Sequence, residues 1–204
     1  ADIRETLEEL SGLLQYKASK EEAECVRALS AAASAERRGE VDDASVPVKP
    51  QQIIREIRQA LGEDDILVSD VGAHKMWIAR YYPTYLPGTV LLSNGYSAMG
   101  FGLPAAIAAK LAFPERKVVA AVGDGGFLMT VMEMETAVRL GLPVTVVVWV
   151  DSTYGLIKWK QEAERRTVFG VDFGNPDWVK LAESFGARGY LVERPGDLHR
   201  MLEA

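Results

Sequence analysis

The sequence has little cysteine and no long apolar run, and each absence excludes a class of protein. Its single cysteine, Cys25, excludes an internal disulfide framework and a cysteine-based metal cluster. Even the apolar run VTVVVWV at 144–150 is far shorter than the about 20 residues of a membrane-spanning helix. The amino end lacks the basic and then apolar pattern of a signal peptide. We therefore predict a cytoplasmic protein that does not act at a membrane.

Basic residues are also in the minority. The chain has 23 Lys and Arg against 29 Asp and Glu, which gives a formal net charge of -6. A surface of this charge repels a phosphate backbone, so the sequence predicts no nucleic-acid partner. Hydrophobic residues, in contrast, make up 48% of the 204 residues. That is enough to bury one sizeable core, and we expect one domain with an appendage.

The composition changes near residue 47. Residues 1–46 are rich in Ala, Glu, Lys and Arg, and a second helix is predicted over 19–38. The first predicted helix carries an apolar stripe at helical spacing, formed by Ile3, Leu7, Leu10 and Leu14. The stretch GEVDDASVPVKP at 39–50 has the composition of a linker. We predict a helical arm over 1–46 and a domain over 47–204.

Helical and strand patterns alternate after residue 50. Strand patterns occur in DILVSD, GTVLLS, KVVAAVGD, PVTVVVWV and RGYLVE. Helical patterns occur in QQIIREIRQAL, AHKMWIARYY, GLPAAIAAKLA, TVMEMETAVRLG, DWVKLAESFG and PGDLHRMLEA. Buried strands separated by helices specify a parallel sheet with right-handed crossovers. The predicted fold class is α/β, a three-layer sandwich with a mainly parallel sheet, preceded by the helical arm.

Two acidic residues directly follow apolar strand patterns. Asp124 ends KVVAAVGD, and Asp151 comes after the next strand pattern. If these strands are parallel and consecutive, both carboxylates lie at one edge of the sheet, where ligands of such sheets bind. Converging carboxylates need a proton or a cation between them, and oxygen ligands suit Mg²⁺. Because Gly123, Gly125 and Gly126 let backbone N–H groups approach an anion, we predict a site for a magnesium diphosphate.

Each half of this pattern also has a simpler interpretation. The GDG triplet alone is usually a turn, and Asp151 followed by Ser152 and Thr153 is typical of a helix cap. It is the combination of two carboxylates, separated by one helix and one strand, that favours the metal site. A non-catalytic regulatory domain of the same fold is a weaker alternative, since both carboxylates are present.

A dinucleotide site is an alternative of another class. Gly100, Gly102 and Ala105 form the pattern G-x-G-x-x-A, and Asp124 ends the following strand pattern. The glycines, however, lie well beyond the preceding strand pattern GTVLLS, whereas a dinucleotide motif begins at the strand end. This alternative also gives no role to Asp151 and the glycines that follow Asp124.

Three longer stretches carry a family resemblance. They are SNGYSAMGFGLPAAIAAKLAFPERKVVAAVGDGGFLM, EMETAVRLGLP and VDFGNPDWVKLAESFGA. They resemble the thiamine diphosphate enzymes, and among these the acetolactate synthases of the catabolic, flavin-independent kind. The resemblance covers residues 47–204, and the arm before them is similar to the end of that family's middle domain and its linker.

The resemblance implies a function and two cofactors. Thiamine diphosphate and Mg²⁺ would serve the conversion of two pyruvate molecules into 2-acetolactate and carbon dioxide, in branched-chain or acetoin metabolism. Another thiamine diphosphate-dependent decarboxylase or carboligase of 2-keto acids stays an alternative, because it would share the same motifs. Where many members have two asparagines, this chain has Val150 and Asp151. Aspartate is an equally good oxygen ligand, and it adds one negative charge.

The resemblance also implies roles for individual residues. The metal would be bound by the side chains of Asp124 and Asp151 and by the Thr153 carbonyl. Met99 would be the apolar wedge between the two cofactor rings, and the Ser97 carbonyl would accept from the aminopyrimidine. The cofactor would further contact Val71, Gly72, Ala73, His74, Gly123, Gly125, Gly126, Phe127, Tyr154, Gly155, Leu156 and Ile157.

One part of the family's active site has no counterpart in these residues. The resemblance implies a glutamate that activates the cofactor, carried by a second α/β domain of a neighbouring subunit, and no stretch here resembles that domain. No catalytic residue is therefore assigned within the chain. The sequence also starts without Met and ends where family members continue. We expect a fragment that alone is inactive and that needs its remaining domains and a second subunit in a homo-oligomer.

Overall fold

The computed structural model describes residues 3–13, 20–38 and 45–202, which belong to two compact units, 1–40 and 41–204. The first unit contains helices α1 (Ile3–Leu13) and α2 (Lys20–Arg38), as the helical spacing predicts. Leu7 and Leu10 of the apolar stripe are exposed, and Leu14 lies outside the described residues. The division into domains 1–46 and 47–204 stays a prediction.

The second unit is built on a parallel sheet. Its four strands are β1 (Ile66–Ser69), β2 (Val90–Leu92), β3 (Val118–Gly123) and β4 (Thr145–Trp149). Their order in the sheet is β2-β1-β3-β4, and every neighbouring pair is parallel. The central strands β1 and β3 are buried on both faces, which explains their unbroken apolar sequences. This confirms the predicted α/β class.

Helices cover both faces of the sheet. They are α3 (Pro50–Ala60), α4 (Ala73–Tyr81), α5 (Gly102–Ala112), α6 (Asp124–Thr130), α7 (Glu133–Arg139), α8 (Gly155–Ala163), α9 (Trp178–Ser184) and α10 (Asp197–Leu202). Alternate strand residues face the two layers: Val68 and Ala120 pack with α5 and α7, whereas Leu67 and Val119 pack with α3, α4 and α10. No helix of the described residues is long and apolar enough to cross a membrane.

Three local predictions were wrong. The stretch RGYLVE at 188–193 forms no strand, and Tyr190 and Leu191 are exposed, so their side chains gain nothing from a sheet. The interval between β3 and β4 contains two helices, α6 and α7, where a single helix beginning at Thr130 had been predicted. Helix α8 was not predicted, because its face toward the protein is only half-buried and its apolar pattern is weak.

Candidate functional site

Three neighbouring strands lead into an aspartate at the same edge of the sheet. Asp70 follows β1, Asp124 follows β3, and Asp151 lies two residues beyond the end of β4. Because β1, β3 and β4 are hydrogen-bonded in parallel, their carboxyl ends lie side by side. The structure thus places the two predicted metal ligands at one edge, together with Asp70, which the sequence analysis did not assign and whose carboxylate accepts from the backbone of Gly100 and Phe101.

Asp124 is the most firmly held of the predicted site residues. It is only 1% exposed. Its Oδ1 accepts a hydrogen bond from the backbone nitrogen of Gly125 at 2.8 Å. Its Oδ2 accepts from the backbone nitrogens of Ser152 at 2.7 Å and Asp151 at 3.2 Å, and from Nδ2 of Asn175 at 2.7 Å. Four donors therefore fix one orientation of this carboxylate.

Asp151 lies beside Asp124, in a position suited to sharing a cation with it. Asp151 is exposed overall, yet partial burial of its carboxyl raises its pKa, and the neighbouring Asp124 raises it further against a lowering hydrogen bond from Thr153. That hydrogen bond, from the Thr153 nitrogen to Oδ1 of Asp151, is 3.3 Å long. The Thr153 carbonyl accepts from Gly155 and keeps a second lone pair. A bound cation would stabilise both carboxylates in their charged form.

The protein alone does not complete a metal site here. Within residues 3–13, 20–38 and 45–202, no three His, Cys, Asp or Glu side chains converge to hold an ion. The two carboxylates and the Thr153 carbonyl offer three ligands, whereas Mg²⁺ requires six and commonly takes the rest from phosphate oxygens and water. The residues present fit a cation shared with a bound diphosphate.

Two glycines of the GDGG motif, Gly125 and Gly126, are closely packed. A Cβ atom at Gly125 would lie 2.6 Å from the Tyr154 ring, and one at Gly126 would lie 2.4 Å from Oδ2 of Asp70. Both distances are shorter than real contacts of a Cβ atom, so a larger residue would force Tyr154 or Asp70 to shift. Phe127, the next residue, is buried and packs on Trp178 with ring centroids 5.8 Å apart. Contact of these three residues with a diphosphate stays a prediction.

The loop from Val71 to His74 forms the start of α4 beside β3. The His74 ring is buried against Gly72 and Gly123, and its centroid lies 6.0 Å from that of Trp149. Burial lowers the pKa of His74 to about 4, so the ring is neutral at pH 7. The predicted contact of His74 with a diphosphate stays a prediction. Its Nε2 atom is buried and has no partner among the described residues.

The buried His74 predicts a loss of stability in mild acid. Because its pKa is lowered from 6.5 to about 4 by folding, the unfolded chain takes up the proton first as the pH falls. Stability is then lost from about pH 6.5 down to about pH 4. Between about pH 7.5 and 5.5 we expect the free energy of unfolding to fall by about 1 kcal/mol from this group. Urea denaturation at both pH values measures this change. The free energy of unfolding should fall less in His74→Gln than in wild type or in the control His199→Gln. Equal falls in all three proteins would contradict the prediction.

The loop with Ser97 and Met99 is anchored by Asp70. Ser97 adopts a left-handed backbone conformation, with φ of 51°, and Met99 is half-buried. Directly after Met99, the backbone nitrogens of Gly100 and Phe101 donate to the Asp70 carboxylate at 3.0 and 3.1 Å. Burial raises the pKa of Asp70, and these hydrogen bonds oppose that shift. Asp70 therefore fixes the backbone next to the predicted wedge residue.

The same contacts remove the argument for a dinucleotide site. Gly100 uses its nitrogen for Asp70 and has a left-handed φ of 84°. A Cβ atom at Gly102 would lie 2.5 Å from Val122 of β3. The glycines of the G-x-G-x-x-A pattern are thus explained by packing within the protein and by loop conformation.

The residues from Tyr154 to Ile157 lie at the start of α8. The Tyr154 ring is 4.8 Å from that of Phe173, and Leu156 is half-buried. Ile157 is 48% exposed. These residues border Asp151, since a Cβ atom at Gly155 would lie 3.2 Å from its Oδ2. Their predicted contacts with the thiazolium and the substrate stay predictions.

Asp70 and Asn175 are the site residues that the sequence analysis missed. Asp70 had a detectable signal, because DILVSD ends on an aspartate in the same way as KVVAAVGD. Asn175 had none, since it lies 51 residues after Asp124 in an irregular segment. Its position beside Asp124 depends on a backbone bridge between Thr153 and Asp172 that no periodic pattern predicts.

The fold and this site define an α/β ligand-binding domain whose site lies at the carboxyl edge of a parallel sheet. Comparison with protein families shows which kind of ligand-binding domain this is. The model of the family described as "Thiamine pyrophosphate enzyme, C-terminal TPP binding domain" matches residues 70–204. The chain belongs to this family, which confirms the resemblance and thiamine diphosphate as the cofactor of the family.

Curated relatives agree with this assignment. An acetolactate synthase of Bacillus subtilis is 46% identical over 75% of this chain, and a catabolic acetolactate synthase of Raoultella terrigena is 41% identical over 76%. A putative thiamine pyrophosphate-containing protein of Bacillus subtilis is 36% identical over 76%. The aligned parts cover 27%, 28% and 27% of these relatives, so the chain spans little more than a quarter of their length.

Proposed function

We propose that this chain is the diphosphate-binding part of an acetolactate synthase and that it holds thiamine diphosphate through Mg²⁺. The observation that carries the proposal is the pairing of Asp124 and Asp151 at the carboxyl edge of the sheet, within a chain of the thiamine pyrophosphate family. The names of the Bacillus subtilis and Raoultella terrigena acetolactate synthases support acetolactate synthase over other members. Another thiamine diphosphate-dependent decarboxylase or carboligase of 2-keto acids is the alternative.

In this proposal the chain's own residues bind and orient the cofactor. Asp124, Asp151 and the Thr153 carbonyl ligate Mg²⁺, which neutralises the diphosphate charge. The backbone of Gly125 and Gly126 and the loop 71–74 line the diphosphate. Asp124 is already fixed by four hydrogen-bond donors, so little further ordering accompanies metal binding.

Met99 and Ser97 orient the reactive part of the cofactor. Met99 would pack as an apolar wedge against the two rings of the cofactor, and the Ser97 carbonyl would accept from the aminopyrimidine. Both lie in the backbone segment that Asp70 anchors. When bound, thiamine diphosphate supplies the stabilised carbanion chemistry by which 2-keto acids lose carbon dioxide.

The activity of the whole enzyme needs parts outside these 204 residues. We propose that the activating glutamate comes from another subunit of a homo-oligomer and that the substrate is pyruvate. A chain of this kind alone should then bind cofactor weakly and form no 2-acetolactate. The cytoplasmic location predicted from the sequence stays a prediction.

Interdependent binding of metal and cofactor is the test of this proposal. Calorimetric titration of the purified chain with thiamine diphosphate should show binding in Mg²⁺ and at least about tenfold weaker binding in excess chelator, because the carboxylates otherwise repel the diphosphate. Thiamine monophosphate, which lacks one phosphate, is the ligand control. Equal affinity with and without Mg²⁺ would contradict the proposal, and metal-independent binding of NAD would favour the dinucleotide alternative.

A further inference from the structure

Asn175 contacts the predicted metal ligand Asp124, and the proposed function gives it no role beyond helping to fix that carboxylate. Its Nδ2 donates to Oδ2 of Asp124 at 2.7 Å and to Oγ of Ser152 at 3.1 Å. Both amide protons are thereby used. The opposite orientation of the amide would place its oxygen against a carboxylate oxygen, so the contacts determine which way the amide points.

The hydrogen bonds to Asp124 are distributed unequally between its two oxygens. Oδ2 accepts from Asn175 and from the backbone nitrogens of Asp151 and Ser152, whereas Oδ1 accepts only from Gly125 among the described residues. A carboxylate has about two acceptor sites on each oxygen. The two short bonds, from Asn175 and Ser152, fill the acceptor sites of Oδ2, and the bond from Asp151 is longer, at 3.2 Å. Oδ1 alone therefore keeps capacity for a cation, and loss of Asn175 would leave Oδ2 with one short bond.

The backbone around Asn175 holds it in this position. The Phe173 nitrogen donates to the Ser152 carbonyl at 3.1 Å, and the Tyr154 nitrogen donates to the Val171 carbonyl at 2.9 Å. These bonds join the segment before Asn175 to the segment that follows Asp151. Two residues after Asn175, the Asp177 side chain caps α9 by accepting from the Lys180 nitrogen. Asn175 thus lies between two fixed points.

We propose that Asn175 is a positioning residue that limits Asp124 to ligation through one oxygen and so favours Mg²⁺ over Ca²⁺. This inference rests on the proposed metal site. Mg²⁺ is octahedral with short metal–oxygen distances, and a carboxylate offering one oxygen suits it. Ca²⁺ accepts six to eight oxygens and often takes both from one carboxylate. Occupation of Oδ2 by Asn175 removes that second oxygen.

The selectivity between the two cations is the measurement that tests this role. Dissociation constants for Mg²⁺ and Ca²⁺ would be obtained on the purified chain with saturating thiamine diphosphate, by competition with Mn²⁺ followed by electron paramagnetic resonance. In Asn175→Ala we expect Mg²⁺ to bind about 10 to 100-fold more weakly, as when other groups that orient a metal ligand are removed. Ca²⁺ affinity should fall less, so the ratio of the two affinities should drop about tenfold.

Two further variants separate positioning from general damage. Asn175→Asp has nearly the same shape but cannot donate to Oδ2 of Asp124. Its added charge supports the binding of either cation. The ratio of Mg²⁺ affinity to Ca²⁺ affinity should nevertheless drop in this variant as well. Asp177→Ala removes the α9 cap without touching Asp124, and its ratio should match wild type. Equal weakening of both cations in Asn175→Ala, or an unchanged ratio in Asn175→Asp, would overturn the inference. Absence of Mg²⁺-dependent cofactor binding in wild type would instead overturn the proposed function.

Discussion

Asp124→Asn is expected to weaken Mg²⁺-dependent binding of thiamine diphosphate by at least about 100-fold, more than removal of a residue that only orients a ligand. The substitution keeps the size of the side chain but removes the negative charge that balances the cation. It also replaces one accepting oxygen by an NH₂ group, whereas all four neighbours of this carboxylate are donors. Calorimetry of cofactor binding in Mg²⁺ measures the effect.

Asp64→Asn is the matched control for charge. Asp64 is exposed and precedes β1, so it lies at the opposite edge of the sheet from Asp124. The variant changes the net charge of the chain by the same amount without altering the proposed site. It should bind the cofactor as wild type does. If both variants lost affinity equally, general electrostatics would explain the result and Asp124 would not be a ligand.

The sheet and its site edge could be predicted because their residues carry strong local signals. The strands β1 and β3 are apolar on both faces, which only a buried parallel sheet explains. Asp124 and Asp151 follow neighbouring strands, so the rule for parallel sheets was sufficient to place them together. The register of β3 and β4 then determines how near the two carboxylates lie.

Other parts of the site depend on contacts between distant segments. Asn175 reaches Asp124 across 51 residues, and Asp70 bonds the Gly100 nitrogen across 30. Neither residue lies in a periodic pattern that indicates its partner. The incorrect strand prediction for RGYLVE has a related cause. Alternation of apolar residues leads to a strand only where a neighbouring strand is available for pairing.

Packing around Asp70 makes Gly126 a glycine whose replacement should lower the stability of the domain. Gly126 is within helix α6, where alanine is ordinarily favoured over glycine by about 1 kcal/mol. Here the added Cβ atom would lie 2.4 Å from Oδ2 of Asp70. Asp70 cannot move away easily, because it is fully buried and accepts from the backbone nitrogens of Val71, Gly100 and Phe101. We expect Gly126→Ala to lower the free energy of unfolding by about 2 kcal/mol or more.

The sign of this change distinguishes packing from helix propensity. Gly174→Ala is the control, since its Cβ atom would meet nothing within 4 Å and its φ is not in the left-handed region. Urea denaturation should give wild-type or slightly higher stability for Gly174→Ala. Asp70→Ser shortens the side chain that obstructs the added Cβ atom. In this background Gly126→Ala should therefore lower the free energy of unfolding by less than it does in wild type. A double-mutant cycle measures this coupling. A stabilised Gly126→Ala, or a cost independent of residue 70, would show that Asp70 does not constrain the start of α6.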